Sequence, residues 1–382
     1  MPFHSYIFWN RGIKYCKTAA NLRNKVEFHK NIHILLVNSR IILIFVAPKN
    51  YKTRTNMIQN LTKTRVVGVD IGCELTTYAV VDGRGNILAK ESFPTTDEPE
   101  INGYISTLCD RIVALVEANG GYECIRSMGV GVSSGNFMTG TIANSGNLPW
   151  KGEIPLAALL RDRLGLAVAV ANDAHVRALG ESVYGCAHGM RDFLLIVLSQ
   201  GFGSCMFSNG HAHMGYRGFA GEIGHCCVVP NGRECTCGSQ GCLEAYCAAR
   251  GIVQTAQELM AETGKPSLMR NYQELNPKLI TDCCEQGDEL AIEVYRKTGF
   301  ILGIGLANYA SVTNPEAIVL TGGITKAGKW LLDPLDESFE EHVFHNVRGR
   351  VKLMCSALND DERDVLGASA LAWRVKEYSL FK

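Results

Sequence analysis

From Arg65 onward, apolar and polar positions follow two rhythms, short apolar runs closed by Gly, Asp or Asn and longer stretches with helical spacing. The first rhythm predicts a strand at 66–69 ending on Asp70. Two more follow at 77–81 and 87–90, joined by the turn Asp82-Gly-Arg-Gly-Asn86. Residues 98–119 predict an amphipathic helix stopped by Gly120-Gly121. Further strands are predicted at 127–132 and 167–171, the second leading through Asn172-Asp173 into a helix that runs to Tyr184.

A second cycle then starts. Residues 193–198 predict an apolar strand, and Gly201-Phe-Gly203 a tight turn into a strand at 204–208. Asn209-Gly210 is a hairpin signal. A long helix is predicted at 288–312, a strand at 317–320, a glycine turn at Thr321-Gly-Gly323, a strand at 351–355 and a closing helix at 364–378. The order strand–turn–strand–strand, then helix, therefore occurs twice, near 66–90 and near 193–217. Two similar α/β units predict two lobes of mixed sheet with helical covers and a cleft between them. No low-complexity linker separates them.

The 382 residues are enough for two or three domains with ample core. Net charge is zero but unevenly spread, because residues 1–56 hold ten Lys/Arg against the single acid Glu27. Three readings of this segment stand: a basic arm for nucleic acid or membrane, a disordered or partly helical tail, or an upstream extension of a chain that starts at Met57. Its apolar run at 32–47 is broken by Asn38, Ser39 and Arg40, which makes a poor membrane span, and it is badly placed for a signal peptide. No helix-turn-helix pattern is evident. The predicted domains are 1–64, an N-terminal lobe 65–185, a C-terminal lobe 186–363 and a closing helix 364–382 that packs back on the N-terminal lobe.

The densest chemistry lies in Gly221-Glu-Ile-Gly-His225 and Cys235-Thr-Cys237-Gly-Ser-Gln-Gly-Cys242-Leu-Glu244. One His and three Cys within eighteen residues make a Cys3His set, one of the usual structural zinc sets. Gly238 and Gly241 relax the backbone so that Cys242 can return to the ion that Cys235 and Cys237 hold, with His225 as fourth ligand. A closed four-ligand site leaves no open position for chemistry, so zinc would fasten a loop, 225–242, that carries Glu222 and Glu244. Ordinary buried cysteines and disulfides are the competing readings. The odd count of fifteen Cys and the vicinal pairs Cys226-Cys227 and Cys283-Cys284 argue for a reduced cytoplasmic setting. Three strand-end glycine turns, Asp70-Ile-Gly72, Gly201-Phe-Gly203 and Gly322-Gly323, are candidate phosphate sites, since Gly lets backbone N–H groups approach an anion and Asp70 can hold Mg²⁺ through water.

On these motifs the chain, from about Arg65 to Trp373, resembles the ROK family (repressors, open reading frames, sugar kinases). The strongest match is the Gly221–His225 and Cys235–Glu244 signature. Asn172-Asp173-Ala174, Asn314-Pro315-Glu316 with Thr321-Gly-Gly323, and Gly367-Ala368-Ser369-Ala370-Leu371-Ala372 match further family motifs. The resemblance implies a duplicated actin-like ATPase (ribonuclease H-like) α/β fold and a homodimer. It implies Asp173 as the general base that takes a proton from a sugar hydroxyl. The plain alternative for Asn172-Asp173 is a helix N-cap. It implies Asn172, Glu222, His225 and Glu244 as sugar contacts, with Ser134, Gly135 and Asn147 lining the same pocket. For Glu222 and Glu244, support of the zinc histidine and loop is the competing role. ATP·Mg²⁺ would lie near Asp70, Gly72, Gly201, Gly203, Gly322 and Gly323.

Two loops depart from the family pattern. Asp70-Ile-Gly72-Cys73-Glu74 stands where the family has Asp-x-Gly-Gly-Thr, and Ser199-Gln200-Gly201-Phe202-Gly203 where it has Gly-Thr-Gly-x-Gly. A carboxylate at Glu74 repels triphosphate unless a cation offsets it. The leading expectation is an ATP-dependent kinase of a hexose or N-acetylhexosamine. The alternative is a non-catalytic sugar sensor or transcriptional regulator, which binds nucleic acid only if residues 1–56 are genuine. A module merely stapled by zinc would leave Asn172-Asp173 without a role.

Overall fold

The computed structural model describes residues 63–143, 145 and 148–375, together with the backbone of four short strands nearer the start. Those strands, Ile7–Asn10, Ile13–Cys16, Ile32–Val37 and Arg40–Phe45, form an antiparallel sheet within a compact unit of their own, residues 1–63. The three readings of the basic segment otherwise lie outside the described residues. Everything below concerns the second compact unit, from Thr64 onward.

This unit holds two five-stranded sheets of one topology. In the first, Arg65–Ile71 is central. It pairs antiparallel with Leu75–Asp82, which pairs antiparallel with Ile87–Pro94. On its other side it pairs parallel with Ile125–Val132, which pairs parallel with Ala167–Asn172. In the second, Phe193–Leu198 is central, with Phe202–Ser208 and then His211–Ala212 on the antiparallel side. Ala317–Thr321 and then Lys352–Cys355 lie on the parallel side. The predicted duplication is thus present strand for strand, although the third strand of the second copy is only two residues long.

The central strands are apolar because they are buried on both faces. All six residues of Phe193–Leu198 are buried, as are Val66, Val67 and Val69. The predicted helix at 98–119 occupies Ile101–Ala118 and buries Tyr104, Ile105, Leu108, Ile112 and Leu115 at helical spacing. The long helix runs Glu289–Thr313, capped by Asp288, whose carboxylate accepts from the N–H groups of Leu290 and Ala291.

Two helices connect the sheets to the site. Asp173–Tyr184 starts directly from the strand Ala167–Asn172. Arg363–Arg374 lies across the first sheet, where Gly68 and Gly129 let its backbone approach: a Cβ on Gly129 would meet Ala372 N at 2.8 Å and the Ala368 oxygen closer still. Ser127 Oγ donates to the Ala372 carbonyl at 2.7 Å. The two helices cross at Gly180 and Gly367, where a Cβ on Gly180 would lie 3.1 Å from the Gly367 Cα.

One turn differs from expectation. Gly201-Phe-Gly203 is not a single tight turn: Ser199 N donates to the Gly201 carbonyl at 3.0 Å, and the strand already begins at Phe202. Gly203 is paired with Val197 inside the ladder. The hairpin therefore closes over Ser199–Gly201, two residues earlier than the glycine spacing suggests.

Candidate functional site

The loop after Phe202–Ser208 is pinned from below by Ser204. Its hydroxyl donates to the Gly221 carbonyl at 2.5 Å and accepts from Ile223 N at 3.2 Å. Gly221 sits at φ +93°, a conformation only glycine adopts without strain. The turn delivers Glu222 and the short 3-10 segment Ile223–His225.

The cysteine loop folds onto that segment. Cys235 N donates to the Ser239 carbonyl at 2.8 Å, and Gly238 N donates to the Cys235 carbonyl at 3.0 Å, so Cys235 and Cys237 share one tight turn. Leu243 N donates to the Cys226 carbonyl at 3.0 Å, which brings Cys242 beside His225. The ligand atoms of His225, Cys235, Cys237 and Cys242 all lie within 4.8 Å of one another. Cys237 Sγ and Cys242 Sγ are 3.7 Å apart, and Cys235 Sγ is 3.6 Å from His225 Nδ1. Zinc with bonds of about 2.3 Å to sulfur and about 2.05 Å to nitrogen has tetrahedral edges of roughly 3.8 and 3.6 Å. The donor set fits zinc in type and in spacing. Hydrogen bonding, from the Ser239 backbone first, draws the Cys237 thiol down to about 7, while burial pushes Cys242 up to about 12. Metal binding displaces such protons.

Glu244 follows the last ligand. Its Oε2 accepts from Phe202 N at 2.9 Å and its Oε1 from Thr236 Oγ1 at 3.0 Å. It therefore supports the loop and the second glycine hairpin, as the competing reading expects. Cys235 Sγ also donates to Oε1 at 3.7 Å, so of the about four acceptor positions of a carboxylate one remains for another donor. Glu222 immediately precedes Ile223–His225. Burial raises its carboxyl above the usual range, His225 opposes this, and Asp173 and Glu244 add to it. Ser204, which pins this turn, follows Gly203, whose Cβ position lies 3.4 Å from Ala174 Cβ, so the Glu222 turn of the second lobe lies near the helix start of the first.

Asn172 is the N-cap of that helix, its Oδ1 accepting from Ala174 N at 2.9 Å, and Asp173 Oδ1 accepts from the same N–H at 2.8 Å. One oxygen of Asp173 carries no protein hydrogen bond among the described residues. Gly135 abuts the strand end, where a Cβ would meet the Ala171 backbone carbon at 2.7 Å, and Ser134 before it adopts φ +58°. Gly135 therefore stands at the Ala171–Asn172 strand end, with Ser134 next to it in the chain. Asn147 lies outside the described residues.

Of the phosphate-loop candidates, Gly72 N donates to the Leu75 carbonyl at 3.0 Å, so Cys73 and Glu74 form the exposed corner of a tight turn. Gly322, at φ +97°, lies against the Leu198 backbone, next to the second hairpin. Gly323 has open space at its Cβ position. Gln200 and Gly201 line a cavity of about 260 Å³ together with Cys235, Thr236 and Glu244. Gln200 also lines a larger one of about 730 Å³ with Arg250, Gln254 and Asn276. Asp70 lines a third, of about 320 Å³, with Lys90, Glu91 and Asp364. Burial first, then Asp364 and Asp173, hold the Asp70 carboxyl well above the usual carboxylate range, with Arg177 opposing.

Two charged residues of this region were not singled out by the sequence. Arg177 and Asp364 form a bidentate pair, Nε to Oδ1 at 2.5 Å and Nη2 to Oδ2 at 3.0 Å. The available signal was position: Arg177 stands four residues after Asp173, hence on the same helix face.

Comparison with known proteins places the chain. The ROK family profile matches residues 66–375, and the chain belongs to the ROK family. Its two-lobed α/β architecture is that family's duplicated actin-like ATPase fold. A glucokinase of Halalkalibacterium halodurans is 33% identical over 320 residues, covering 81% of this chain and 94% of the relative. The N-acetylglucosamine repressor of Escherichia coli O157:H7 is 29% identical over 332 residues, covering 83% of this chain and 78% of that protein. Among solved structures, a ROK family glucokinase from Streptomyces griseus in complex with glucose and AMPPNP superposes with a TM-score of 0.67 at 30% identity, covering 81% of this chain and 99% of that one. The relatives thus include both kinases and repressors.

Proposed function

We propose that this chain is an ATP-dependent kinase of a hexose or N-acetylhexosamine. The observation that carries this reading is the approach of the second sheet to the helix start that bears Asp173, where a Cβ on Gly203 would lie 3.4 Å from Ala174 Cβ while the next residue, Ser204, pins the Glu222 turn beside a Cys3His cluster. The sugar would lie between the strand end of the first lobe and the zinc loop of the second. Ser134, Gly135 and Asn172 would line it on one side, and Glu222, His225 and Glu244 on the other. His225 turns Nδ1 toward the cysteines, which leaves Nε2 for a hydroxyl.

In this reading Asp173 takes the proton of the acceptor hydroxyl as its oxygen bonds to the γ-phosphorus and the bond to the β-phosphate oxygen breaks, releasing ADP. Such a base contributes about 10²–10⁴-fold to the rate. Mg²⁺ would reach the nucleotide from the Asp70 side, and Gly72, Gly201, Gly203, Gly322 and Gly323 border the nucleotide path. His225, Cys235, Cys237 and Cys242 would hold zinc, whose contribution is to fix the loop. Closure of the lobes would exclude water as a competing acceptor.

A sensor that binds sugar without phosphorylating it is the second reading. The exposed Cys73-Glu74 corner and the Gln200 hairpin favour it, since Glu74 and Gln200 stand where the family pattern has Thr. ADP release measured over glucose, N-acetylglucosamine, N-acetylmannosamine, mannose and fructose separates the two. Turnover on any of them supports the kinase. Calorimetric binding of a sugar with no turnover supports the sensor.

A further inference from the structure

We propose that Arg177 contacts the γ-phosphoryl group of bound ATP, supplying in this chain a cationic contact from the base-bearing helix itself. The proposal rests on the kinase reading and adds a residue to it.

The helix Asp173–Tyr184 presents Asp173 in its first turn and Arg177 one turn later on the same face. The guanidinium is fixed rather than free. Nε and Nη2 are both spent on Asp364, and the side chain is 20% exposed. Nη1, with two N–H donors, carries no hydrogen bond among the described residues. Burial works against its charge, but Asp364, then Asp173 and Asp70, hold it firmly in place.

The surroundings demand such a charge. Asp70, Asp173 and Asp364 all act on this one guanidinium. A triphosphate entering among three carboxylates meets repulsion that a dry site amplifies. Lys90, from the strand Ile87–Pro94, faces the Asp70 cavity but donates to the Asp361 carbonyl at 3.1 Å. The second hairpin passes beside the same helix: a Cβ on Gly203 would lie 3.4 Å from Ala174 Cβ. That hairpin carries Gln200 in place of a hydroxyl, and the first loop carries Glu74. A planar guanidinium already clamped through one edge offers its other edge to phosphate oxygens with little further loss of freedom.

The test compares binding of the non-hydrolysable imido analogue of ATP, with Mg²⁺, against binding of Mg·ADP, by calorimetry without sugar. Arg177→Gln is expected to weaken the analogue about tenfold or more while ADP stays within about twofold, with Arg177→Lys intermediate. Both ligands unchanged, or both weakened by one factor, would overturn the contact and leave Arg177 as a structural partner of Asp364. If Arg177→Gln fails to fold, the neutral pair Arg177→Gln/Asp364→Asn carries the same comparison. A wild-type chain that binds neither nucleotide sinks the kinase reading and this contact with it, whereas normal wild-type binding with an indifferent variant sinks the contact alone.

Discussion

Glu244 Oε2 accepts a hydrogen bond from the backbone N–H of Phe202 at 2.9 Å, which joins the exit of the cysteine loop to the glycine hairpin of the second sheet. Its other oxygen takes Thr236 Oγ1 from within the loop. Glu244→Ala leaves the Phe202 N–H without its partner and is expected to cost about 1–3 kcal/mol of stability. Glu244→Gln keeps an acceptor and is expected to cost less. Urea unfolding of the two variants checks the order; equal losses would mean that the hydrogen bond is not what Glu244 contributes.

Zinc is expected at one ion per chain by metal analysis. Chelation is expected to lower the melting temperature, because a metal that binds the folded chain adds its binding free energy to stability. The pair Cys235→Ala/Cys237→Ala is expected to lose the metal and to bind sugar more weakly, since Glu222 and His225 share the loop. Full retention of zinc in that variant would refute the ligand set.

Gly129→Ala is expected to be among the most damaging small substitutions. Its Cβ would press on the backbone of the helix Arg363–Arg374 at Ala368 and Ala372, and backbone cannot rotate away. Overpacking of this kind costs about 1–3 kcal/mol or more. Because that helix also carries Asp364, the loss is expected to appear in both unfolding midpoint and nucleotide affinity. A variant as stable as wild type would contradict this close approach of helix and strand.

His175 gives a pH signature. It is 5% exposed, its Nδ1 has no hydrogen-bond partner, and burial lowers its pKa to about 4 while Asp173 opposes. The unfolded chain binds this proton near pH 6.5, the folded chain only near 4. Stability from this group is therefore complete above pH 6.5 and falls as pH drops toward 4, by about 3 kcal/mol at most. Denaturant midpoints at pH 7, 5.5 and 4.5 should show this slope in wild type and a shallower one in His175→Asn. Identical slopes would exclude His175 as the source.

Much of this was legible along the chain, and the reasons are local. Residues 193–198 read as a strand because both faces are buried, so no polar residue interrupts the run. The Cys3His set read as a ligand cluster because all four residues fall within one loop. Asn172 served both readings, being the cap and the neighbour of Asp173. What the sequence concealed depends on distant contacts. Arg177 and Asp364 are 187 residues apart and meet only because their helices cross at Gly180 and Gly367. Gly203 read as a turn because glycine spacing reports freedom, not pairing; its partner Val197 draws it into the ladder. The pattern also does not announce the helices Leu156–Leu164, Ala249–Glu262, Pro277–Glu285 and Lys329–His342, although Asn276-Pro277 is a helix-start signal.

The kinase reading turns on Asp173 activating a sugar hydroxyl for phosphorylation. Its most direct test is Mg·ATP-driven ADP release on the five-sugar panel, run side by side on wild type and Asp173→Asn, with sugar affinity measured by calorimetry on both. Sugar-dependent release is expected in wild type, falling by about 10²–10⁴-fold in Asp173→Asn while sugar binding persists. Undiminished turnover in the variant would contradict it, as would sugar binding with no release in wild type.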